Sequence, residues 1–155
     1  MSQTVRKSTG TGTEMVAFRV GPQEFCVDIK AVREIRGWTP ATTLPHAPHY
    51  ILGVINLRGT VLPVVNLAAR LGLPVDPPTP RHVIVVVAAE DQVFGLLVDA
   101  VSDILTVMPD LLQSAPDLAQ DNAKAFVSSV VAIENRMIAR IMPERMLPER
   151  LRLAS

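Results

Sequence analysis

Few residues of this 155-residue chain stand at spacings that could do chemistry, and most have a plainer reading. His46-Ala47-Pro48-His49 could offer two imidazoles to a metal. A closed zinc site needs about four ligands, and the nearest carboxylates in sequence are Glu34 and Asp76. A proline-rich surface loop explains the pair. Asp99 and Asp103 are spaced like a carboxylate pair, but on a strand and turn they need not converge, and structural turn carboxylates account for them. Cys26 lies within a short strand and reads as a small core residue. Residues 53–60, GVINLRGT, approach the phosphate-loop pattern. That pattern requires Gly then Lys, where this chain has Arg58 then Gly59. Neither a G-x-S-x-G elbow nor a dinucleotide glycine fingerprint occurs. Five arginines from Arg136 to Arg152, offset by Glu134, Glu144 and Glu149, read as a solvated helix face. No catalytic residues, cofactor or metal are expected. What remains is Arg58, the only charge across residues 50–69, with Glu34 and Arg36 upstream. An arginine in such a place is either a solubilising turn residue or an anchor in a protein interface.

Composition narrows the classes further. Fifteen basic and fifteen acidic residues cancel, and aromatics are 4% of the chain. A nucleic-acid binder needs a concentrated positive field or stacking platforms, so neither form is expected. A single cysteine forms no internal disulfide and fits a reducing, cytoplasmic setting. No basic segment followed by an apolar one marks a secretory signal at the N-terminus. Residues 50–69 are long enough to span a membrane, but Arg58, Asn56, Gly59 and Pro63 argue against insertion.

Arg58 is positioned by two β-branched runs, residues 50–55 and 60–65, which read as a hairpin. Asn56 first and Gly59 fourth suit a type I turn, often followed by a bulge. Residues 1–13 read as a disordered tail, 14–20 and 25–28 as strands. Ile29, Val32 and Ile35 then recur at threes, which predicts a short helix over 29–36 ended by Gly37. A proline-bearing loop follows over 38–49. Residues 67–71 read as a helical turn stopped by Gly72, and 73–80, with four prolines, as a linker. Residues 83–89 lack alternation, as a strand buried on both faces would. Strands are expected at 93–100, 102–108, 126–133 and 137–142, with 109–124 irregular and a C-terminal helix over 143–153 broken at Pro148. Val27-Asp28-Ile29 is echoed by Val98-Asp99-Ala100. Many short strands, few helices and one echo predict a mainly β chain of two small barrels built alike.

FCVDIKAVREIRG (25–37), ILGVINLRGTVLPVVNL (51–67) and GLLVDAVSDIL (95–105) together resemble the CheW-like domain family, coupling proteins of bacterial chemosensory arrays. The resemblance spans about residues 14–147. It implies one domain over 14–155, with two five-stranded SH3-like barrel lobes at roughly 14–79 and 80–142. It implies a non-enzymatic adaptor, cytoplasmic at membrane-associated arrays. Its partners would be the helical tip of a methyl-accepting chemoreceptor and the regulatory domain of the histidine kinase CheA. A CheW-like scaffold in another pathway, of the twitching-motility or biofilm type, is the alternative. The family's receptor-facing positions fall on Val32, Glu34, Gly53, Arg58, Gly59, Val83 and Val101, and a kinase-facing one on Ile29. Val32, Val83 and Val101 would form an apolar floor, with Arg58 and Glu34 as a polar rim. Asn66, Arg140, Pro143 and Pro148 depart from the family's usual residues.

Overall fold

A computed structural model describes residues 12–113 and 126–148. Within these residues, eleven strands form a six-stranded sheet in the order β8-β1-β2-β11-β10-β9 and a five-stranded sheet in the order β3-β6-β7-β5-β4. The larger sheet comprises β1 (Thr13–Val20), β2 (Gln23–Asp28), β8 (Ala100–Val107), β9 (Leu112–Gln113), β10 (Val127–Ile133) and β11 (Arg136–Ile141). The smaller comprises β3 (Val32–Gly37), β4 (Ile51–Leu57), β5 (Thr60–Asn66), β6 (Val83–Ala89) and β7 (Gln92–Val98). One short helix, α1 (Leu67–Arg70), follows β5. The mainly β expectation holds. The lobe boundary near residue 80 does not divide the sheets, because each sheet draws strands from both sides of it. The larger sheet also has one strand more than expected, the two-residue β9.

The chain changes sheets at two aspartates, and these are the two copies of the sequence echo. Asp28 ends β2 in the larger sheet. Its Oδ1 accepts the Lys30 N–H at 2.9 Å and caps a 3-10 turn, Ile29–Ala31, that leads into β3 of the smaller sheet. Asp99 separates β7 of the smaller sheet from β8 of the larger. Its backbone N–H donates to the Arg19 carbonyl at 2.9 Å, and its Oδ2 accepts the Gly21 N–H at 2.7 Å. The strand expected over 93–100 therefore breaks at Asp99, where the chain leaves one sheet for the other.

The helix expected over 29–36 is a 3-10 turn followed by a strand. Antiparallel pairing with β6 supplies the backbone bonds a helix would have made, and β-branched Val32 and Ile35 suit a strand. A register shift between Val32 and Glu34 adds one residue, which is why apolar positions fall three apart. Of the helix expected over 143–153, Pro143–Arg145 is a single 3-10 turn, and 149–153 lie outside the described residues. The tail expected over 1–13 lies outside them too, except Gly12 and Thr13; Thr13 opens β1. Most of the segment expected to be irregular, 114–124, is likewise outside.

Three apolar clusters hold the two sheets. Val85 and Val87 of β6 join Phe18 of β1, Phe25 of β2 and Ile141 of β11 in a cluster shared between the sheets. Their sequence neighbours Ile84 and Val86 enter a second cluster with Ile55, Leu62 and Leu97 of the smaller sheet. Strand β1 repeats the pattern: Val16 and Phe18 face the shared cluster, while Met15 and Ala17 join Cys26 and Ile138 inside the larger sheet. Burial pushes the Cys26 thiol up to about 12, so it is an inert core residue. Arg70 of α1 ties the sheets from outside. Its guanidinium lies 4.0 Å from the Tyr50 ring and 4.5 Å from the Phe126 ring, and donates to the Arg145 carbonyl at 3.0 Å.

Arg136 stands opposite Ile133, on the face that enters the inner cluster of the larger sheet. It is bidentate to Glu24, at 3.0 and 2.7 Å, and reaches Asp103 at 3.3 and 3.2 Å. The solvated helix face expected over 136–152 is thus a strand at its start, and Arg136 spans from β11 to β8 across the open end of the sheet. Hydrogen bonding from Arg136 holds the Glu24 carboxyl below its usual 4.5. A depressed carboxyl contributes stability that is full above the unfolded value and is lost as pH falls through the folded one. Urea unfolding of the native protein should therefore weaken more steeply below pH 4.5 than that of Glu24→Gln; equal slopes would contradict the pairing.

Backbone packing decides one further position. Gly53 in β4 has φ +148°, and a Cβ there would lie 2.1 Å from the Thr42 carbonyl oxygen. That carbonyl accepts the Val54 N–H at 2.8 Å, bridging residue 42 to the hairpin. Gly53→Ala should lower unfolding free energy by about 2–4 kcal/mol in urea titrations, because both φ and space exclude a side chain.

Candidate functional site

The hairpin expected around Arg58 is β4 and β5, but its turn is of another type. Leu57 pairs directly with Thr60, leaving a two-residue connection, Arg58-Gly59. Both have positive φ, 53° and 88°, the signature of a primed hairpin turn rather than type I. Primed turns match the right-handed twist of the flanking strands, which type I would splay. The register shift sits instead at the far end of the hairpin, between Ile51 and Gly53. Asn56 steadies the turn: its Oδ1 accepts the Gly59 N–H at 2.8 Å. Gly59 adopts φ 88° without penalty, whereas Arg58 holds a left-handed conformation that most side chains avoid.

Arg58 Nη2 donates to Glu34 Oε1, and Arg36 Nη1 donates to Glu34 Oε2 at 3.2 Å. The first of these bonds links the two outer strands of the smaller sheet, since Glu34 lies on β3 and Arg58 directly follows β4. The sheet is therefore rolled, with Trp38, just past β3, packed on the inner cluster beside Ile55 and Leu57. Arg58 is 69% exposed and Glu34 26%. The Arg58 hydrogen bond, against some desolvation, holds the Glu34 carboxyl below its ordinary value, with Arg36 adding to the effect. Glu34 is accordingly ionised at neutral pH, and the same bond raises the Arg58 guanidinium.

The structure separates the anticipated floor from the anticipated rim. Glu34 stands opposite Val86, so its side chain lies on the face of the smaller sheet's inner cluster. Val32, two residues earlier, stands opposite Val87 on the other face, because the register shifts between them. Val32, Val83 and Val101 are all half-buried against the cluster shared by the sheets, as is Ile29 in the 3-10 turn. Val32 and Val83 belong to the smaller sheet and Val101 to the larger. Gly53 acts through its backbone, and Gly59 completes the turn. Sequence reasoning underrated Arg36. Reading 32–37 as a strand would have put Glu34 and Arg36 on one face by simple alternation.

The other chemistry-bearing residues have structural partners. Asp99 lies 3.4 Å from His82 Nε2, and Asp103 pairs with Arg136, so the two carboxylates serve different contacts. His49 packs edge-on to Tyr50 at 5.5 Å. Asn66 caps α1 by accepting the Ala69 N–H at 3.2 Å. Arg140 lies 3.9 Å from Asp28 across the β2–β11 pairing. Among the described residues no group of three or more His, Cys, Asp and Glu could hold a metal ion, and no helix is long and apolar enough to cross a membrane.

The strain at Arg58 yields a test of whether this residue is there for stability. Arg58→Asn places the non-glycine residue most tolerant of left-handed backbone before Gly59. The variant should unfold at an unchanged or higher temperature despite losing the Glu34 bond. A clear fall in its thermal midpoint would mean the pair stabilises the fold.

A protein-family model described as CheW-like domain matches residues 14–150. The chain is 55% identical over 155 residues to a chemotaxis protein CheW of Rhizobium meliloti (strain 1021), covering 100% of both chains. It is 36% identical over 128 residues to the chemotaxis protein CheW of Bacillus subtilis (strain 168), covering 83% of this chain and 82% of that one. The crystal structure of the scaffolding protein TtCheW from Thermoanaerobacter tengcongensis superposes with a TM-score of 0.79 at 28% identity, covering 84% of this chain and 89% of that one.

Proposed function

This chain belongs to the CheW-like domain family, and on that premise we propose that it is a non-enzymatic adaptor coupling chemoreceptor tips to the histidine kinase CheA in a chemotaxis assembly. The observation that carries the reading is Arg58. A charged residue occupies a left-handed turn position, is 69% exposed, and is steadied from below by Glu34 and Asn56. Stability alone favours Asn or Gly there. A guanidinium kept in such a place, with a fork of donors still facing solvent, suits an interface anchor.

A chemoreceptor tip is a helical bundle, so the recognition is helix against a groove. Val32, Val83 and Val101 supply apolar contact where the two sheets meet. Arg58 and Glu34, on the neighbouring face of the smaller sheet, fix the orientation of the bound helix. Gly53 and Gly59 act indirectly, by setting the hairpin that carries Arg58. Ile29, in the 3-10 turn between β2 and β3, belongs to the surface that meets the kinase regulatory domain. An adaptor needs both surfaces at once, and here they adjoin, since the turn carrying Ile29 leads directly into Val32.

Charge reversal tests the assignment. Arg58→Glu places a carboxylate beside Glu34 at the turn. In pull-downs, this variant should lose a cognate receptor tip while retaining the kinase regulatory domain and its thermal midpoint. Undiminished receptor capture would remove Arg58 from the interface.

A further inference from the structure

We infer that Arg36 is a positioning residue for Arg58, acting through Glu34, so that the receptor-facing guanidinium is set by a three-residue relay rather than by one ion pair. The inference rests on the proposed receptor role of Arg58 and deepens it.

Glu34 is shared. One oxygen accepts from Arg58 and the other from Arg36, and both bonds come from terminal guanidinium nitrogens. The three residues differ in how firmly they are held. Arg36 stands opposite Ile84 in the β3–β6 pairing, on the face of the inner cluster, and its side chain is 34% exposed. Its Nε is wholly buried and, among the described residues, has no hydrogen-bond partner. With that nitrogen out of water, Arg36 is restrained by burial on the inner face of the smaller sheet and by its bond to Glu34. Arg58 is the opposite case, standing on a two-residue turn with most of its side chain in solvent. Glu34 lies between them and passes the placement of one to the other.

A carboxylate bound by a single guanidinium can rotate and take it with both oxygens. With Oε2 occupied by Arg36, Glu34 offers Arg58 only Oε1. Arg58 then holds Glu34 through one nitrogen and keeps its remaining N–H groups for a partner. Without Arg36, Glu34 is free to chelate Arg58 and draw it onto β3. It is equally free to turn to solvent and leave Arg58 unguided. Either change lowers receptor affinity without altering the turn. The cluster also carries two cations for one anion, so removing Arg36 neutralises it.

A double-mutant cycle separates this relay from a purely structural role. Native protein, Arg36→Ala, Arg58→Ala and the double variant are titrated with a cognate receptor tip by calorimetry, and each also with the kinase regulatory domain. Arg36→Ala should weaken receptor binding about fivefold to tenfold, and should add nothing in the Arg58→Ala background. Kinase-domain affinity should be constant throughout. Arg36→Lys, which can still hold Oε2 through one bond, should recover part of the loss. If Arg36→Ala does not fold, the same cycle with Arg36→Lys and Arg36→Gln decides, with Gln the weaker binder. Additive losses, or native affinity in Arg36→Ala beside a weakened Arg58→Ala, would overturn the relay alone. Native affinity in Arg58→Ala would overturn both the relay and the receptor assignment beneath it.

Discussion

The architecture depends on strands whose two faces enter different cores. In β6, Ile84 and Val86 point into the smaller sheet while Val85 and Val87 point toward the larger one. Strand β1 does the same from the other side, with Met15 and Ala17 against Val16 and Phe18. Each sheet therefore has its own interior, and the sheets share a third. Apolar burial, at about 25 cal/mol for every Å² removed from water, therefore stabilises the contact between the sheets as well as the interior of each. Their relative placement is fixed, and so is the seam where Val32, Val83 and Val101 lie half-buried.

Rolled sheets have ends, and here ends are closed by charge. Arg136 spans Glu24 and Asp103 on the larger sheet, while Glu34 lies between Arg36 and Arg58 on the smaller. In both, polar residues stand opposite positions that feed an inner cluster, so ion pairs continue the inward face where apolar residues would meet water. The two differ in exposure. Arg136 spends its donors on two carboxylates and is 29% exposed, whereas Arg58 is mostly in solvent. That contrast, rather than the presence of an arginine, sets the proposed interface anchor apart from a closing strap.

Much of the strand layout was legible because burial on both faces leaves a strong mark. The unalternating run in β6 and the two β-branched runs around Arg58 needed no tertiary knowledge. The Val-Asp echo marked the two sheet crossings without revealing what they were. The rest depended on partners distant in sequence. Residues 32–37 became a strand only because β6 was available to pair with them, and the extra residue there imitated a helical period. The turn at Arg58 took a primed form because strand twist, not local residue preference, chose it. Strand assignment between sheets was hidden altogether, since β2 pairs with β11 and β5 with β7 across long stretches of chain. Within the site, Glu34 and Arg58 were anticipated together as a rim, but the faces were not. One inserted residue turned Val32 and Glu34 to opposite sides, and a rim-and-floor picture drawn from spacing alone could not show that.

The central proposal is that one two-sheet body holds two partners at once on adjoining surfaces. Sedimentation of the protein mixed with both a chemoreceptor tip and the kinase regulatory domain tests it most directly. The account predicts a single boundary containing all three components, with neither partner displacing the other at saturation. Mutual displacement, with only binary complexes at any ratio, would contradict it.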